Sequence, residues 1–352
     1  MPFPISDFLH DEPNDLRAFC FESSQVDSVQ DVIQEIQNFQ PVVVGINDHQ
    51  STNGLVLERL IKQMFPRALV FFSPTAIPAE QLMDKANQSA YRLRQRTRPV
   101  SGKIRFRSCW SLDNFLKQTP PENQDEIKQK ITHLIETYEL EHWADQVPQS
   151  AFERILETLE ILEDVYAESH PIWDKRHLRL LDVGSARWDY APALYQFFSL
   201  AYTDTPRQVF LTGVELDPYR LDQEGYSCVD YALTHIDTIA SFSRYLNQNI
   251  LEHQPQQPYD VITHFNPYLL SESHLFGGLP LEFYYPDKIL NCLLSLRHPQ
   301  GSILTSHNQS QEYAAQQVLQ QEQGLTSRLE GAFCSALSKQ YEAFVSVLEA
   351  EN

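Results

Sequence analysis

The sequence predicts an α/β fold in which an open, mostly parallel sheet fills the carboxyl-terminal half and a smaller α/β domain precedes it. Three observations predict this fold. Apolar runs of strand length alternate with helical patterns, one run ends at a glycine and the next at a carboxylate, and the 352 residues exceed the usual size of one core. We expect a small domain at residues 1–118, a helical connector at 119–170 and the main domain at 171–352.

The small domain shows two buried strand patterns, at 41–46 and 68–72, and two helical patterns, at 28–39 and 55–64. This β-α-β order predicts a small parallel sheet with a right-handed crossover. The polar loop at 47–53 could hold a site. It lacks a Gly-Lys-Ser/Thr phosphate loop, so we favour a structural role.

A basic segment follows, with no acidic residue between Lys85 and Leu112. Its possible contacts to an acidic or phosphate-bearing partner are Arg92, Arg94, Arg96, Arg98, Lys103, Arg105 and Arg107. The alternative is that it docks on the protein's own acidic surface or lies in solvent. A helix from Pro78 to about Arg96 is favoured over a hairpin, which would face arginines against each other, and residues 103–110 are expected to form a separate strand.

The connector contains two amphipathic helical patterns separated by Pro148. One apolar face runs from Ile127 to Tyr138 and the other from Phe152 to Val165.

The main domain opens with the strand pattern His-Leu-Arg-Leu-Leu-Asp, which ends at Asp182 and runs into Gly184. A second pattern, 208–214, ends on Glu215. A glycine lets the backbone approach a ligand, and a carboxylate can accept hydrogen bonds from both hydroxyls of a ribose. This pair predicts a nucleoside site at the carboxyl ends of two strands.

Further elements follow in an order that favours one class of α/β domain. A strand at 259–264 delivers Asn266, Pro267 and Tyr268 to the same edge. A helix at 286–296, a turn at 297–301, a strand at 302–306, a helix from 310 to about 321 and two strands at 325–329 and 341–348 complete the chain. A closing strand pair is not expected of a dinucleotide domain.

From about residue 175 to 350 this order resembles the class I S-adenosylmethionine-dependent methyltransferases. The matching segments are Leu181–Gly184 for the glycine-rich motif, Gly213–Asp217 for the ribose-binding motif, Asn249–Leu251 for the adenine contact, Asn266–Tyr268 for the acceptor-side motif and Leu296–Gly301 for the turn before the fifth strand. The resemblance implies a Rossmann-like class I methyltransferase sheet with a terminal antiparallel strand pair, and S-adenosylmethionine as the cofactor. The implied cofactor-binding residues are Asp182, Gly184, Ser185, Ala186, Glu215, Leu216, Asn249 and Ile250. Asp182 could instead only anchor the loop.

The sequence departs from the family pattern at several positions. Gly184 is followed by Ala186 and Trp188 where the family often has small residues, which leaves less room for the amino-acid end of the ligand. Asn249 stands where an aspartate is common, although a neutral amide can still pair with an adenine edge. The long gap from Gly184 to Glu215 predicts an extended first helix or an insertion at 202–207. Decayed cofactor binding is the alternative.

The expected activity is methyl transfer to a small-molecule or protein acceptor, with nitrogen favoured. The carbonyls of Asn266 and Pro267 could take the N–H hydrogens of an amine or amide, and Tyr268 could stack on a planar acceptor. This resembles the Asn-Pro-Pro-Tyr motif of amino-methyltransferases with one proline missing; a simple turn is the alternative. A non-catalytic pseudo-methyltransferase acting as a binding module is the second hypothesis. A nicotinamide-dependent oxidoreductase is the third, and the missing Gly-x-Gly-x-x-Gly disfavours it.

Composition restricts partners and compartment. The formal charge of −20 disfavours general binding to nucleic acid or anionic membranes. No apolar run is long enough to span a membrane and the amino terminus lacks an export signal, so we expect a cytoplasmic protein. The five scattered cysteines suggest free thiols, and no metal site is expected.

Overall fold

In a computed structural model of the protein, the described residues are 18–22, 43–47, 69–73, 79–102, 104, 106, 110–222, 224–239, 242–335, 337 and 342–349. Contacts divide the chain into two compact units. The first consists of Met1–Pro99, Tyr219–Gly225 and Leu270–Tyr284, and the second of Val100–Pro218, Tyr226–Leu269 and Tyr285–Asn352. The helices of 119–170 and the large sheet therefore belong to the same unit.

The first unit contains a three-stranded parallel sheet. Its strands are β1 (Ala18–Glu22), β2 (Val43–Asn47) and β3 (Leu69–Ser73), in that order across the sheet. The two predicted strands and their parallel direction are confirmed, whereas β1 was not predicted. The helices predicted at 28–39 and 55–64 and most of the 47–53 loop lie outside the described residues.

Helix α1 (Ala79–Thr97) confirms the helix predicted for the basic segment. Within the same unit, its buried Asn87 donates to the backbone oxygens of Leu275 and Leu279, at 2.9 and 3.1 Å. The backbone N–H of Leu281 donates to Asp84 at 2.6 Å. Thus α1 fixes the segment 270–284, which holds the short helix α8 (Ser271–Phe276) and a 3-10 turn at Leu281–Phe283.

The strand predicted at 103–110 is wrong where the structure describes it, because Ile104, Phe106 and Trp110 are not in a strand. The backbone here bonds to side chains instead of to a neighbouring strand. The N–H groups of Ser101 and Gly102 donate to Asp230, and that of Ile104 donates to Thr234.

In the second unit, four helices and two 3-10 turns precede the first strand of the large sheet, and a fifth helix follows that strand. They are α2 (Leu112–Lys117), the turn Pro121–Asn123, α3 (Gln124–Thr137), α4 (Glu141–Ala144), α5 (Gln149–Val165), the turn Pro171–Asp174 and α6 (Ala191–Leu200). The two predicted connector helices are α3 and α5. The remaining helical elements are α7 (Cys228–Ile236), the turn Ile250–Glu252, α9 (Pro286–Leu296) and α10 (Ser310–Glu322).

The large sheet has seven strands. They are β4 (His177–Val183), β5 (Gln208–Glu215), β6 (Arg244–Asn247), β7 (Tyr259–Phe265), β8 (Arg297–His307), β9 (Leu329–Cys334) and β10 (Glu342–Glu349). Their order is β6-β5-β4-β7-β8-β10-β9, and β10 runs antiparallel to both of its neighbours. The order reverses between β4 and β7, which creates a crevice at their carboxyl ends.

Two strand boundaries differ from the prediction. β8 begins at Arg297, so 297–301 is not the separate turn that was predicted, but the ladder is irregular there: Arg297 pairs with Tyr259 and Ser302 with Val261, and residues 298–301 form a bulge. Gly301 lies at this bulge, where a Cβ would be 2.7 Å from the backbone oxygen of Asp260 on the neighbouring strand. The strand predicted at 325–329 is β9, beginning only at Leu329, because Gly324 at φ +66° and the bond from Leu325 N–H to Gln320 O close helix α10 first.

Apolar residues cover both faces of this sheet. On one face, Leu178, Leu180 and Val209 pack in the cluster that contains helices α3, α5 and α6. On the other, Leu181, Ile262 and Ile303 pack with helix α9. The crevice at the carboxyl ends therefore rests on a sheet that is covered on both faces.

No helix in the described part of the chain is long and apolar enough to cross a membrane.

Candidate functional site

The loop after β4 keeps a glycine-type backbone with only one glycine. Gly184, Ala186 and Trp188 have φ values of +69°, +46° and +58°. Only glycine adopts this left-handed region freely, and other L-residues lose roughly 1–2 kcal/mol there. Ala186 and Trp188 thus hold the conformation that glycines would, at alternate positions. Ala186 and Trp188 depart from the residue types of the family pattern, but the backbone of the loop is left-handed at both positions.

Trp188 anchors this loop from below. Its side chain is fully buried, and a Cβ added to Gly213 of β5 would lie 2.8 Å from the indole. The indole also packs on Tyr245, whose hydroxyl donates to the backbone oxygen of Ala186 at 2.6 Å. The large side chain therefore points to the sheet. Beside Gly184, the nearest atoms to an added Cβ are those of His264, at 4.0 Å.

Glu215 joins the loop to the end of β5. One carboxylate oxygen accepts from the backbone N–H of Ala186 at 2.8 Å, and the other accepts from that of Asp217 at 2.9 Å. The side chain is buried. The structure therefore brings Gly184, Ser185, Ala186, Glu215 and Leu216 to one edge of the sheet. Each carboxylate oxygen retains a lone pair beyond its backbone bond.

Asp182 lies beneath the loop, fully buried. Its carboxylate accepts hydrogen bonds from the hydroxyls of Thr263, at 2.6 Å, and Tyr190, at 2.9 Å. Burial raises the pKa of Asp182 to about 7, although these hydrogen bonds oppose the shift. These contacts tie β4 to β7 and to the start of α6.

Asn249 and Ile250 lie in the turn after β6. The side-chain oxygen of Asn249 accepts from the backbone N–H of Leu251 at 3.0 Å and so caps the 3-10 turn, while Ile250 is buried in the core with helix α9. The backbone N–H of Gln248 donates to the backbone oxygen of Glu215 at 3.1 Å. This bond places the turn next to the end of β5.

The acceptor-side residues follow β7. Asn266 has φ +51°, and its side-chain oxygen accepts from the backbone N–H of Asn308 at 2.9 Å. Pro267 is buried and the side chain of Tyr268 is 40% exposed. The next backbone N–H, of Leu269, donates to Glu312 at 2.7 Å. Asn308, just after β8, and Glu312, in the first turn of α10, thus fix the backbone on either side of Pro267 and Tyr268.

Two histidines at the same edge were not among the predicted site residues. They are His264, near the end of β7, and His307, the last residue of β8. Burial lowers the pKa of His264 to about 4 and that of His307 to about 3. The available signal was their position, since each ends an apolar run of strand length.

The basic segment is described in part, within the first unit. Arg92 lies 4.0 Å from Glu282, Arg94 donates to the backbone oxygen of Gly278 at 3.5 Å, and Arg98 lies over the ring of Tyr219 at 5.8 Å. Arg96 is exposed. Lys103, Arg105 and Arg107 lie outside the described residues.

The strand order decides the fold class of the second unit. Numbered within the sheet it is 3-2-1-4-5-7-6, which is the Rossmann order with the antiparallel last strand inserted before the sixth. The second unit has the class I methyltransferase fold. The Rossmann-like sheet and its terminal antiparallel pair, both expected from the sequence, are confirmed.

Comparisons with known proteins find similarity to solved methyltransferase structures, at low sequence identity. No family model matches the chain, and no curated protein sequence matches it. A protein from Listeria monocytogenes, assigned to the class I S-adenosylmethionine-dependent methyltransferases, is 13% identical over 59% of this chain with a TM-score of 0.40, and the chain spans 61% of its length. The N-methyltransferase NodS from Bradyrhizobium japonicum WM9 is 12% identical, with 57% and 96% of the two chains covered and a TM-score of 0.37. A human methyltransferase 10 domain containing protein is 14% identical, with 63% and 95% covered and a TM-score of 0.39.

Proposed function

We propose that the second unit binds S-adenosylmethionine at the carboxyl ends of β4, β5 and β7 and transfers its methyl group to a small-molecule or protein acceptor, with nitrogen favoured. One observation carries the proposal: a left-handed loop meets a buried carboxylate at the point where the strand order reverses. The Trp188 side chain packs on the sheet and Ala186 carries only a methyl group, so the backbone of the loop is still accessible to a ligand.

The bound cofactor supplies a methyl group that its sulfonium already activates. The protein's tasks are therefore binding, orientation and exclusion of water. Glu215 would accept hydrogen bonds from the ribose hydroxyls with its remaining lone pairs, and Asn249 and Ile250 would contact the adenine. Gly184, Ser185 and Ala186 would present the backbone, while Leu216 lines the same edge and Asp182 braces it.

At the acceptor side, the described contacts refine the expected roles. Because Asn308 already occupies one lone pair of the Asn266 side-chain oxygen, only the second is available for an acceptor N–H. The carbonyl of Pro267 would accept a further hydrogen, and the exposed ring of Tyr268 would stack on a planar acceptor.

Calorimetric titration with S-adenosylmethionine, S-adenosylhomocysteine and NAD tests this proposal. Glu215→Ala should weaken binding of both adenosyl ligands by about 10- to 150-fold, which corresponds to the loss of a charged hydrogen bond. The matched control is Asp174→Ala, which removes an exposed carboxylate at the other end of β4 and should leave affinity unchanged. Unchanged affinity in a folded Glu215→Ala protein would contradict the placement of the ribose, and preferential binding of NAD would contradict the cofactor.

A non-catalytic pseudo-methyltransferase remains the second candidate function. It is favoured by the fact that both oxygens of Glu215 and the side-chain oxygen of Asn266 already accept backbone hydrogen bonds. Absence of adenosyl-ligand binding by the wild-type protein would select this candidate.

A further inference from the structure

A buried imidazole with unused hydrogen-bonding capacity lies at the edge of the candidate site. His307 is 1% exposed, and neither its Nδ1 nor its Nε2 has a hydrogen-bond partner in the described part of the chain. A buried polar group without a partner is costly, so such groups usually bind water or a ligand. The ring lies beside one aromatic residue, with its centroid 6.2 Å from that of Tyr313.

His264 lies on the same side of the sheet as His307. It pairs with Thr305 across the β7–β8 ladder, and His307 is two residues further along β8. Because side chains alternate along a strand, Thr305 and His307 share the face of His264.

His264 lies next to the loop after β4. Its Cδ2 and Nε2 atoms are those that a Cβ on Gly184 would approach, both at 4.0 Å. The space that the glycine leaves is therefore bounded by an imidazole. On the other side of β7, His307 follows Ser306, whose backbone oxygen accepts from Asn266 N–H at 2.8 Å.

Both rings are neutral near pH 7, since burial keeps the pKa values of His264 and His307 at about 4 and about 3. A neutral imidazole offers one N–H donor and one lone pair. Two neutral rings can thus donate to a carboxylate without placing a positive charge beside a sulfonium.

We propose that His264 and His307 hold the amino-acid end of the bound adenosyl cofactor, with their imidazole N–H groups donating to its carboxylate. This inference rests on the proposed function and assigns a subsite for it.

Two adenosyl probes separate this subsite from the rest of the site. S-adenosylhomocysteine carries the amino-acid end, and 5′-methylthioadenosine lacks it. In calorimetric titrations, His264→Phe and His307→Phe should each weaken S-adenosylhomocysteine binding by about 10-fold or more. Binding of 5′-methylthioadenosine should stay within about threefold. The control is His177→Phe at the opposite end of β4, where the ring bonds to Gln208; it should change neither affinity.

The outcomes distinguish the two levels of the proposal. If the wild-type protein binds neither probe, the proposed function fails and this inference with it. If the wild-type protein binds both probes, unchanged S-adenosylhomocysteine affinity in the folded variants would mean that the rings bind only water. Equal losses of affinity for both probes would mean that the rings have a structural role. Either result overturns this inference and leaves the proposed function standing.

A measurement on the wild-type protein covers the case of variants that do not fold. With ¹⁵N-labelled histidine, S-adenosylhomocysteine should shift the ring nitrogens of His264 and His307 in the nuclear magnetic resonance spectrum, and 5′-methylthioadenosine should shift them much less. The same shifts with both probes would contradict contact with the amino-acid end.

Discussion

At the scale of single residues, Ala186 and Trp188 are held in a conformation that their own side chains disfavour. The surrounding contacts compensate: Glu215 accepts from the backbone N–H of Ala186, and Tyr245 donates to its carbonyl. Strain that neighbouring groups enforce in this way is common at ligand sites. The loop shape is therefore a property of its contacts more than of its glycine content.

Replacing Ala186 with glycine tests this strain. Ala186→Gly should raise the free energy of unfolding by about 0.5–1 kcal/mol, because the gain from relieving a left-handed residue exceeds the entropy that glycine adds to the unfolded chain. Ala193→Gly is the matched control, since the same change inside helix α6 should cost about 1 kcal/mol. Denaturant titration measures both, and equal losses in the two variants would contradict strain at Ala186.

At the scale of elements, the pattern of apolar residues predicted most strands and helices of the second unit. Helix α9 was predicted with its observed ends, because Pro286 sets its first turn and its apolar positions face the core. The start of β8 was missed because Pro299 and Gly301 resemble a turn, and only the neighbouring strand shows why a glycine is needed inside a strand. The strand β1 was also missed in the sequence.

The candidate site could be predicted only in part. Its position followed from the glycine after β4 and the carboxylate after β5, which depend on chain order alone. The partners of Asp182 could not be predicted, since Thr263 lies on another strand and Tyr190 across a turn. The histidine pair depends on the register of β7 and β8, which a single sequence does not reveal.

The packing of Trp188, in the loop after β4, against Gly213 of β5 leads to a testable prediction about these two elements. Gly213→Ala should destabilise the protein by about 1–3 kcal/mol, because its Cβ would lie 2.8 Å from the rigid indole of Trp188. Trp188→Phe removes part of that ring, so the double variant should be less destabilised than the sum of the single variants by about 1 kcal/mol. Chemical denaturation of all four proteins measures this coupling; strictly additive losses would mean that Gly213 and Trp188 do not share this contact.

At the scale of the whole molecule, charge is unevenly distributed. The chain carries 47 acidic and 27 basic residues, yet the segment from Lys85 to Leu112 has no acidic one. In the first unit the ion pair of the exposed Arg92 with Glu282 is long, at 4.0 Å, and such exposed pairs contribute little to stability. A partner with acidic or phosphate groups at the arginines of this segment therefore stays a proposal.

Global stability should depend on pH through Asp182. Its ordinary pKa of 3.8 rises to about 7 in the folded protein. Below about pH 4 it is protonated in both states. Between about pH 4 and pH 7 the unfolded chain releases the proton and the folded protein keeps it, so the free energy of unfolding falls as pH rises. Above about pH 7 both states are deprotonated, and the destabilisation due to Asp182 no longer changes with pH.

Comparison with Asp182→Asn isolates this effect. From pH 5 to pH 8, the stability of the wild-type protein minus that of the variant should fall by roughly 2–3 kcal/mol. Subtraction cancels the other titrating groups, including His264 and His307, whose lowered pKa values act in the opposite direction. A flat difference for Asp182→Asn would show that its pKa is not raised.

Because Trp188 is buried between the loop and β5, its intrinsic fluorescence can report on the loop. Indole emission depends on the polarity and motion of its surroundings, and this indole packs directly under the backbone that would meet a ligand. The other three tryptophans are Trp110, Trp143 and Trp173. A difference spectrum between the wild-type protein and Trp188→Phe would therefore isolate the signal of the loop. Ligand arrival at this edge could then be followed in real time without any attached dye.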